Sequence, residues 1–189
     1  MSEPIRLLGI SGSIRKASTN TIVLHTLSEA LVTSGKATLE VFPLDDVPLY
    51  NGDLEADLPA PVAALKSAIT AADGLVLVTP EFNHGIPGVL KNAIDWASRP
   101  AFAAPLVGKP VLPITSSPGF VGGARVHAQL LATLHSTLSR VVVGPDVVIA
   151  GIGQKITNGR LTDATTLEFC LKAIDTLLAE IRIFSRTAA

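Results

Sequence analysis

Five short apolar runs alternate with five helical stripes along this chain, and that alternation restricts the folds open to it more than any single motif does. Ile5 to Ile10 comes first and is followed at once by a Gly/Ser-rich turn, which suits a strand buried on both faces. Val23, Leu27, Ala30 and Leu31 then recur at helical spacing, with Ser18 or Asn20 placed to cap the helix. Thr38 to Phe42 is the second run. Pro43 to Pro61, with four prolines and five acidic residues, reads as a loop long enough to be surface or interface material. Val62, Leu65, Ile69 and Ala72 mark the next helix, and Gly74 to Thr79 is the clearest strand in the chain. Ile86, Leu90, Ala93, Ile94 and Ala97 trace a third helix that stops near Pro100. Pro110 to Thr115 reads as a strand with Ser116 to Gly123 as its loop, and Val126, Leu130, Leu131, Leu134 and Leu138 as the helix after it. Val141 to Ile149 is a fifth strand interrupted at Gly144-Pro145, and Asn158-Gly159 is a turn signal. Thr162 or Asp163 can cap a last helix with core positions Leu167, Leu171, Ile174, Leu178 and Ile181. Such alternation predicts an α/β domain, a parallel sheet with helices on both faces. With no repeat or linker in its 189 residues, the chain is expected to form one domain over its whole length, 1-189.

Composition narrows the partners. Apolar residues make up 48% of the chain and charged ones 16%, a balance that favours burial of surface in an oligomer. The formal net charge of -1 removes the electrostatic case for nucleic acid or an anionic membrane. Cys170 is the only cysteine, so an internal disulfide and a cysteine-based metal site are excluded, and a packed thiol is the expected role. No metal site is expected. The start lacks a basic segment followed by an apolar one, and no run nears the ~18 apolar residues of a membrane span, so a soluble cytoplasmic protein is expected.

The architecture points to the site, because ligands of open parallel sheets bind beyond the carboxyl ends of the strands. The loops leaving strands one, three and four are Gly12 to Asn20, Pro80 to Gly85 and Ser116 to Gly123. The first has neither the Gly-Lys-Ser/Thr ending of a nucleoside-triphosphate loop nor the glycine spacing of a dinucleotide fold. Two readings fit it. One is a cradle for a compact monophosphate, made of backbone N–H groups, Ser13, Ser18, Asn20 and Arg15, with Lys16 as a second cation; the other is a hydroxyl-rich turn that caps a helix. In the other two loops, Pro80, Phe82 and Pro118 offer surface for a flat ring and Gly85 and Gly119 offer backbone donors. Against that, Phe82 can be a core aromatic and Glu81 a solvated or interface carboxylate.

Three segments taken together resemble the NAD(P)H-dependent FMN reductases, the flavodoxin-like family that includes bacterial chromate and quinone reductases. They are G-S-I-R-K-A-S-T-N from Gly12, P-E-F-N-H-G-I-P-G-V-L-K-N-A-I-D-W-A-S-R from Pro80, and T-S-S-P-G-F-V-G-G-A-R from Thr115. The resemblance implies a flavodoxin-like three-layer sandwich with a five-stranded parallel sheet ordered 2-1-3-4-5. It implies that Ser13, Arg15, Ser18 and Asn20 hold the FMN phosphate, that Pro80, Glu81, Phe82 and Asn83 run along the isoalloxazine ring, and that Ser117 and Gly119 lie at its pyrimidine side. No side chain is then needed as nucleophile. NAD(P)H gives hydride to flavin N5, and quinones, flavins or other oxidants such as chromate take the electrons in a ping-pong cycle. Phe82 departs from the family's usual tyrosine, and His84-Gly85 falls where the family varies. The family forms dimers and tetramers. Arg125 matches an arginine of the tetramer contact, with Asp146 as an acidic partner, whereas Ala128 replaces its tyrosine. His25, His127 and His135 read as surface residues, and His84 as a packing residue at the edge of the site. The competing function is a flavodoxin-like electron carrier without nicotinamide activity. Carriers of that kind are strongly acidic, and this chain is nearly neutral.

Overall fold

The computed structural model describes residues 4–187, with side chains described as far as Phe184. Five parallel positions form the central sheet. β1 (Ile5–Ser11) pairs with β2 (Ala37–Phe42) on one side and β3 (Gly74–Thr79) on the other; β4 (Pro110–Ser117) follows β3. The fifth position is split. β5 (Arg140–Val141) and β6 (Val147–Ala150) both lie parallel to β4, which gives the order 2-1-3-4-5 with an interrupted edge. Five residues separate Val141 from Val147 against two between their β4 partners Val111 and Ile114, so the chain loops out at Gly144-Pro145 and then resumes its pairing.

Period-two alternation sends the strand side chains to two separate cores. Leu7, Val76, Val78, Leu112 and Ile114 face α1 (Thr19–Ser34) and α5 (Ala164–Thr187). Leu8, Ile10, Leu75, Leu77 and Val111 face α2 (Ala60–Ala71), α3 (Gly88–Ala97) and α4 (Ala124–Ser136). Each helix contributes fully buried leucines or isoleucines, such as Leu27, Leu65, Leu90, Leu130 and Ile174, worth about 1.5–3 kcal/mol apiece in transfer terms. Strands buried on both faces need helices on both faces, and the alternation supplies them.

Local chemistry sets the ends. Ser18 caps α1, its Oγ accepting from the Thr21 amide, and Gly35 closes the helix at φ 66°. Asp163 caps α5 through the Thr166 amide. Asn158 (φ 49°) and Gly159 (φ 72°) turn a short hairpin of β7 (Ile156–Thr157) and β8 (Arg160–Leu161).

Four expectations are corrected. α2 begins at Ala60, with Pro61 in its first turn where a missing N–H costs nothing, so the preceding loop is shorter than Pro43 to Pro61. β4 extends through Ser116 and Ser117, carrying two hydroxyls to the sheet end on regular strand rather than on a loop. Leu138 lies beyond α4, half exposed at φ 60°. His127, expected on the surface, is 3% exposed, with the Asp146 carboxylate between β5 and β6 at 3.7 Å from its Nδ1. The loop after β2 is tied down by α3: Trp96 Nε1 and Asn92 Nδ2 both donate to the Pro48 carbonyl, while Asn92 Oδ1 accepts from the Tyr50 amide.

Candidate functional site

Strand pairing brings the three expected loops together. Ser11 sits opposite Val78 and Thr79 opposite Thr115, so the ends of β1, β3 and β4 stand side by side. The first loop crosses the end of β3 very closely. Gly12 N donates to Val78 O at 2.8 Å, and a Cβ on Gly12 would lie 2.1 Å from Thr79 Oγ1, a place only glycine can take.

Behind Gly12 the loop is held by its own hydroxyls. Thr21 Oγ1 donates to Ser11 Oγ, and Ser11 Oγ donates to the Ser13 carbonyl. Ser13 Oγ accepts weakly from the Arg15 amide at 3.4 Å. Ser18 is buried and its Oγ accepts from Thr21 N, which leaves the hydroxyl proton to donate elsewhere. Asn20 is buried as well. Its Oδ1 accepts from Ser116 Oγ at 2.8 Å, tying α1 to β4 and leaving the amide nitrogen as the group it offers. The guanidinium of Arg15 is exposed and has no partner among the described residues. The side-chain groups left over in this loop are hydroxyl protons of Ser13 and Ser18, Asn20 Nδ2 and the cations Arg15 and Lys16, beside the helix N-terminus. That set fits a phosphate monoester.

The second loop is a tight hairpin. Phe82 and Gly85 exchange both backbone hydrogen bonds, 3.1 and 2.9 Å, around Asn83 (φ 50°) and His84 (φ 64°). Its base is clamped to α4. Glu81 Oε2 accepts from Val126 N, Glu81 Oε1 accepts from Arg125 Nη1 at 3.4 Å, and Gln129 Oε1 accepts from Ile86 N at 2.7 Å. Pro80 is buried, Phe82 is 57% exposed, and Asn83 and His84 are exposed at the tip. Phe82 is thus no core aromatic. Glu81, expected along the ring, turns its carboxylate away to cap α4, where the helix N-terminus favours a negative charge.

The third loop differs from expectation in its donors. Gly119 N donates to Ser117 Oγ and Gly85 N to Phe82 O, so these two amides are occupied within their own loops. Ser117 and the exposed Gly119 nevertheless flank the open end of β4, beside Phe120, which is 94% exposed. Residues absent from the expected set also build the site. Ser116 anchors Asn20, Thr21 anchors Ser11, and Gln129 anchors Ile86. Ser116 and Thr21 adjoin the motifs, which is a signal of a kind; Gln129 lies on a helix with none.

Among the described residues, two buried side-chain polar atoms have no partner, Thr115 Oγ1 and His127 Nε2. His127 Nδ1 lies 3.7 Å from the exposed Asp146 carboxylate. Arg125 therefore meets Glu81 within the chain, and Asp146 meets His127. Among the described residues no group of three or more His, Cys, Asp or Glu is placed to hold a metal, and no helix is long and apolar enough to cross a membrane.

A parallel sheet ordered 2-1-3-4-5, with the loops after β1, β3 and β4 gathered at its carboxyl end, has the architecture of the flavodoxin-like class. The comparisons place it within that class. The model of the NADPH-dependent FMN reductase family matches residues 5–155, and the chain belongs to that family. It is 41% identical over 175 residues to the quinone reductase of Escherichia coli K12, covering 89% of this chain and 90% of the relative. It is 38% identical over 184 residues to an NAD(P)H-dependent FMN reductase of Pseudomonas aeruginosa, covering 96% and 98%. Among solved structures, the flavoenzyme NAD(P)H:(acceptor) oxidoreductase FerB of Paracoccus denitrificans superposes with a TM-score of 0.85 at 32% identity, covering 94% of this chain and 97% of that one. The protein is accordingly a flavin-dependent oxidoreductase with FMN as cofactor and NAD(P)H as electron donor.

Proposed function

We propose that this protein passes electrons from NAD(P)H through FMN to quinones, and by the same open surface to free flavins or oxidants such as chromate. The observation that carries the reading is the side-chain inventory of Gly12 to Asn20: once internal hydrogen bonds are discounted, donors and two cations remain. Ser13, Arg15, Ser18 and Asn20 hold the FMN phosphate. Pro80, Phe82 and Asn83 line the ring, Glu81 fixes their loop, and Ser117 and Gly119 border the pyrimidine end. When bound, the flavin supplies hydride acceptance and its return to an oxidant.

The residues around the ring hold and orient rather than react. The hairpin clamped by Glu81 and Gln129 keeps Phe82 at one height over the surface. Phe82 itself is 57% exposed, and donor and acceptor use that open surface in turn. Ping-pong kinetics follow. The exposed Phe82, Phe120 and Leu49 are apolar area that a second copy covers, and a homodimer or homotetramer is part of the proposal. So is a cytoplasmic location, where reduced nicotinamide is regenerated.

Anaerobic addition of NADPH or NADH to the FMN-loaded protein tests the reading. Loss of the oxidised-flavin absorbance within seconds is expected, followed by its return on adding a quinone. A flavin that stays oxidised under excess of both donors makes the protein an electron carrier instead.

A further inference from the structure

A recess lies beside the first loop on its β2 side. It is a groove of about 360 Å³ between that loop, α1 and the end of β2, within the range of about 300 to 1,000 Å³ usual for small-molecule sites. Neither Ser18 nor Asn20 lines it. Asn20 reaches toward β4, whereas the groove opens beside β2, at the far side of β1.

One wall carries Arg15, Lys16 and His25. None of the three has a side-chain partner among the described residues, and all are exposed. The neighbouring hydroxyls of Ser11 and Thr21 bond to each other and to the Ser13 carbonyl, so they leave the cationic groups to meet any ligand. The other wall is apolar, built from Phe42, half-buried, and Pro43, exposed. Asp45 is the one carboxylate among the residues that line the groove. Two cations and a histidine outweigh it.

An anion-binding wall opposite an apolar one is what a phosphorylated aromatic nucleoside needs. The groove also shares Ser13 and Arg15 with the FMN cradle, so its ligand lies next to the flavin's phosphate. We propose that this groove takes the adenosine 2′-phosphate end of NADPH, with Lys16 and His25 on the phosphate and the base against Phe42 and Pro43, and that it makes NADPH the preferred donor. The proposal rests on the reading that a nicotinamide nucleotide is the donor.

The test is calorimetric titration of the FMN-loaded protein with adenosine 2′,5′-bisphosphate, 5′-AMP and inorganic phosphate. The bisphosphate is expected to bind roughly tenfold or more tightly than 5′-AMP, the difference one charge-assisted hydrogen bond makes. Lys16→Ala and His25→Ala each shrink that difference, and His25→Ala, which lies outside the cradle, leaves 5′-AMP and FMN affinities alone. In turnover, His25→Ala raises KM for NADPH about tenfold and leaves KM for NADH unchanged. Equal affinity for the two nucleotides overturns the proposal. So does inorganic phosphate binding as tightly as the bisphosphate, the mark of a simple anion site, or a bisphosphate affinity untouched in both variants. The titration needs no turnover, so it decides the groove even where neither donor bleaches the flavin, the result that would end the reductase reading.

Discussion

Gly12 and Arg15 are three residues apart and do opposite jobs. Gly12 is a packing requirement. A Cβ there would meet Thr79 Oγ1 at 2.1 Å, Thr79 Cβ at 2.6 Å and Thr79 Cα at 3.0 Å, so a side-chain rotation alone makes no room. Gly12→Ala is therefore expected to lift the loop off β3, destabilising the fold by about 1–3 kcal/mol and weakening FMN binding with it. An unchanged urea midpoint would show that the loop has slack. Arg15 is a ligand group with nothing to lose when the site is empty, since it is exposed and unpaired among the described residues. Arg15→Ala is expected to leave the urea midpoint where it is and to weaken FMN by roughly 1.5–3 kcal/mol, the worth of a hydrogen bond to a charged group. Unchanged affinity in a fluorescence titration removes Arg15 from the cradle.

At the scale of elements, side chains from one segment fix the end of the next. Gln129 on α4 accepts from Ile86 N and so holds the far side of the Phe82 to Gly85 hairpin. Gln129→Ala leaves that amide without its acceptor, a loss of about 1 kcal/mol, and faster hydrogen exchange at Ile86 is the expected signature. Exchange that stays as slow as in the parent would mean Glu81 holds the loop by itself. Asp163 does the equivalent at α5. The Thr166 hydroxyl and amide, and then the Lys155 ammonium, hold its carboxyl down at about 2. A folded-state pKa below the ordinary carboxylate value stabilises the protein above that ordinary value, about 4, and the contribution disappears as pH falls from there through about 2. Asp163→Asn should accordingly melt below the parent at neutral pH, with the two melting temperatures converging in that acid window. Curves that run parallel through it would show that the charge is not what the cap needs.

For the whole molecule, the apolar runs located every strand of the central sheet, and the Gly144-Pro145 break was legible because neither residue continues a ladder. The strand order came from the motifs rather than from periodicity. His127 was misplaced because a position off the apolar stripe of α4 is buried all the same, a tertiary effect that helical spacing cannot register, and the Gly85 and Gly119 donors because their partners lie inside their own loops. Cys170 was placed correctly and gives a probe of the assembled fold. It is fully buried on α5 in the same cluster as Leu7, Val76 and Ile114, and burial pushes its thiol up to about 12, with Lys155 pulling only weakly the other way. A thiol both protonated and inaccessible reacts only when α5 leaves the sheet. The native protein should thus resist a disulfide reagent at mildly alkaline pH, and labelling should accelerate with urea along the slope of global unfolding. FMN binds loops that leave β1, β3 and β4 of the same sheet, so saturating flavin should slow labelling too, by about a hundredfold at a hundred times its Kd. Labelling indifferent to both urea and FMN would mean that α5 detaches alone, and the sheet and its last helix would then be two cooperative units instead of one.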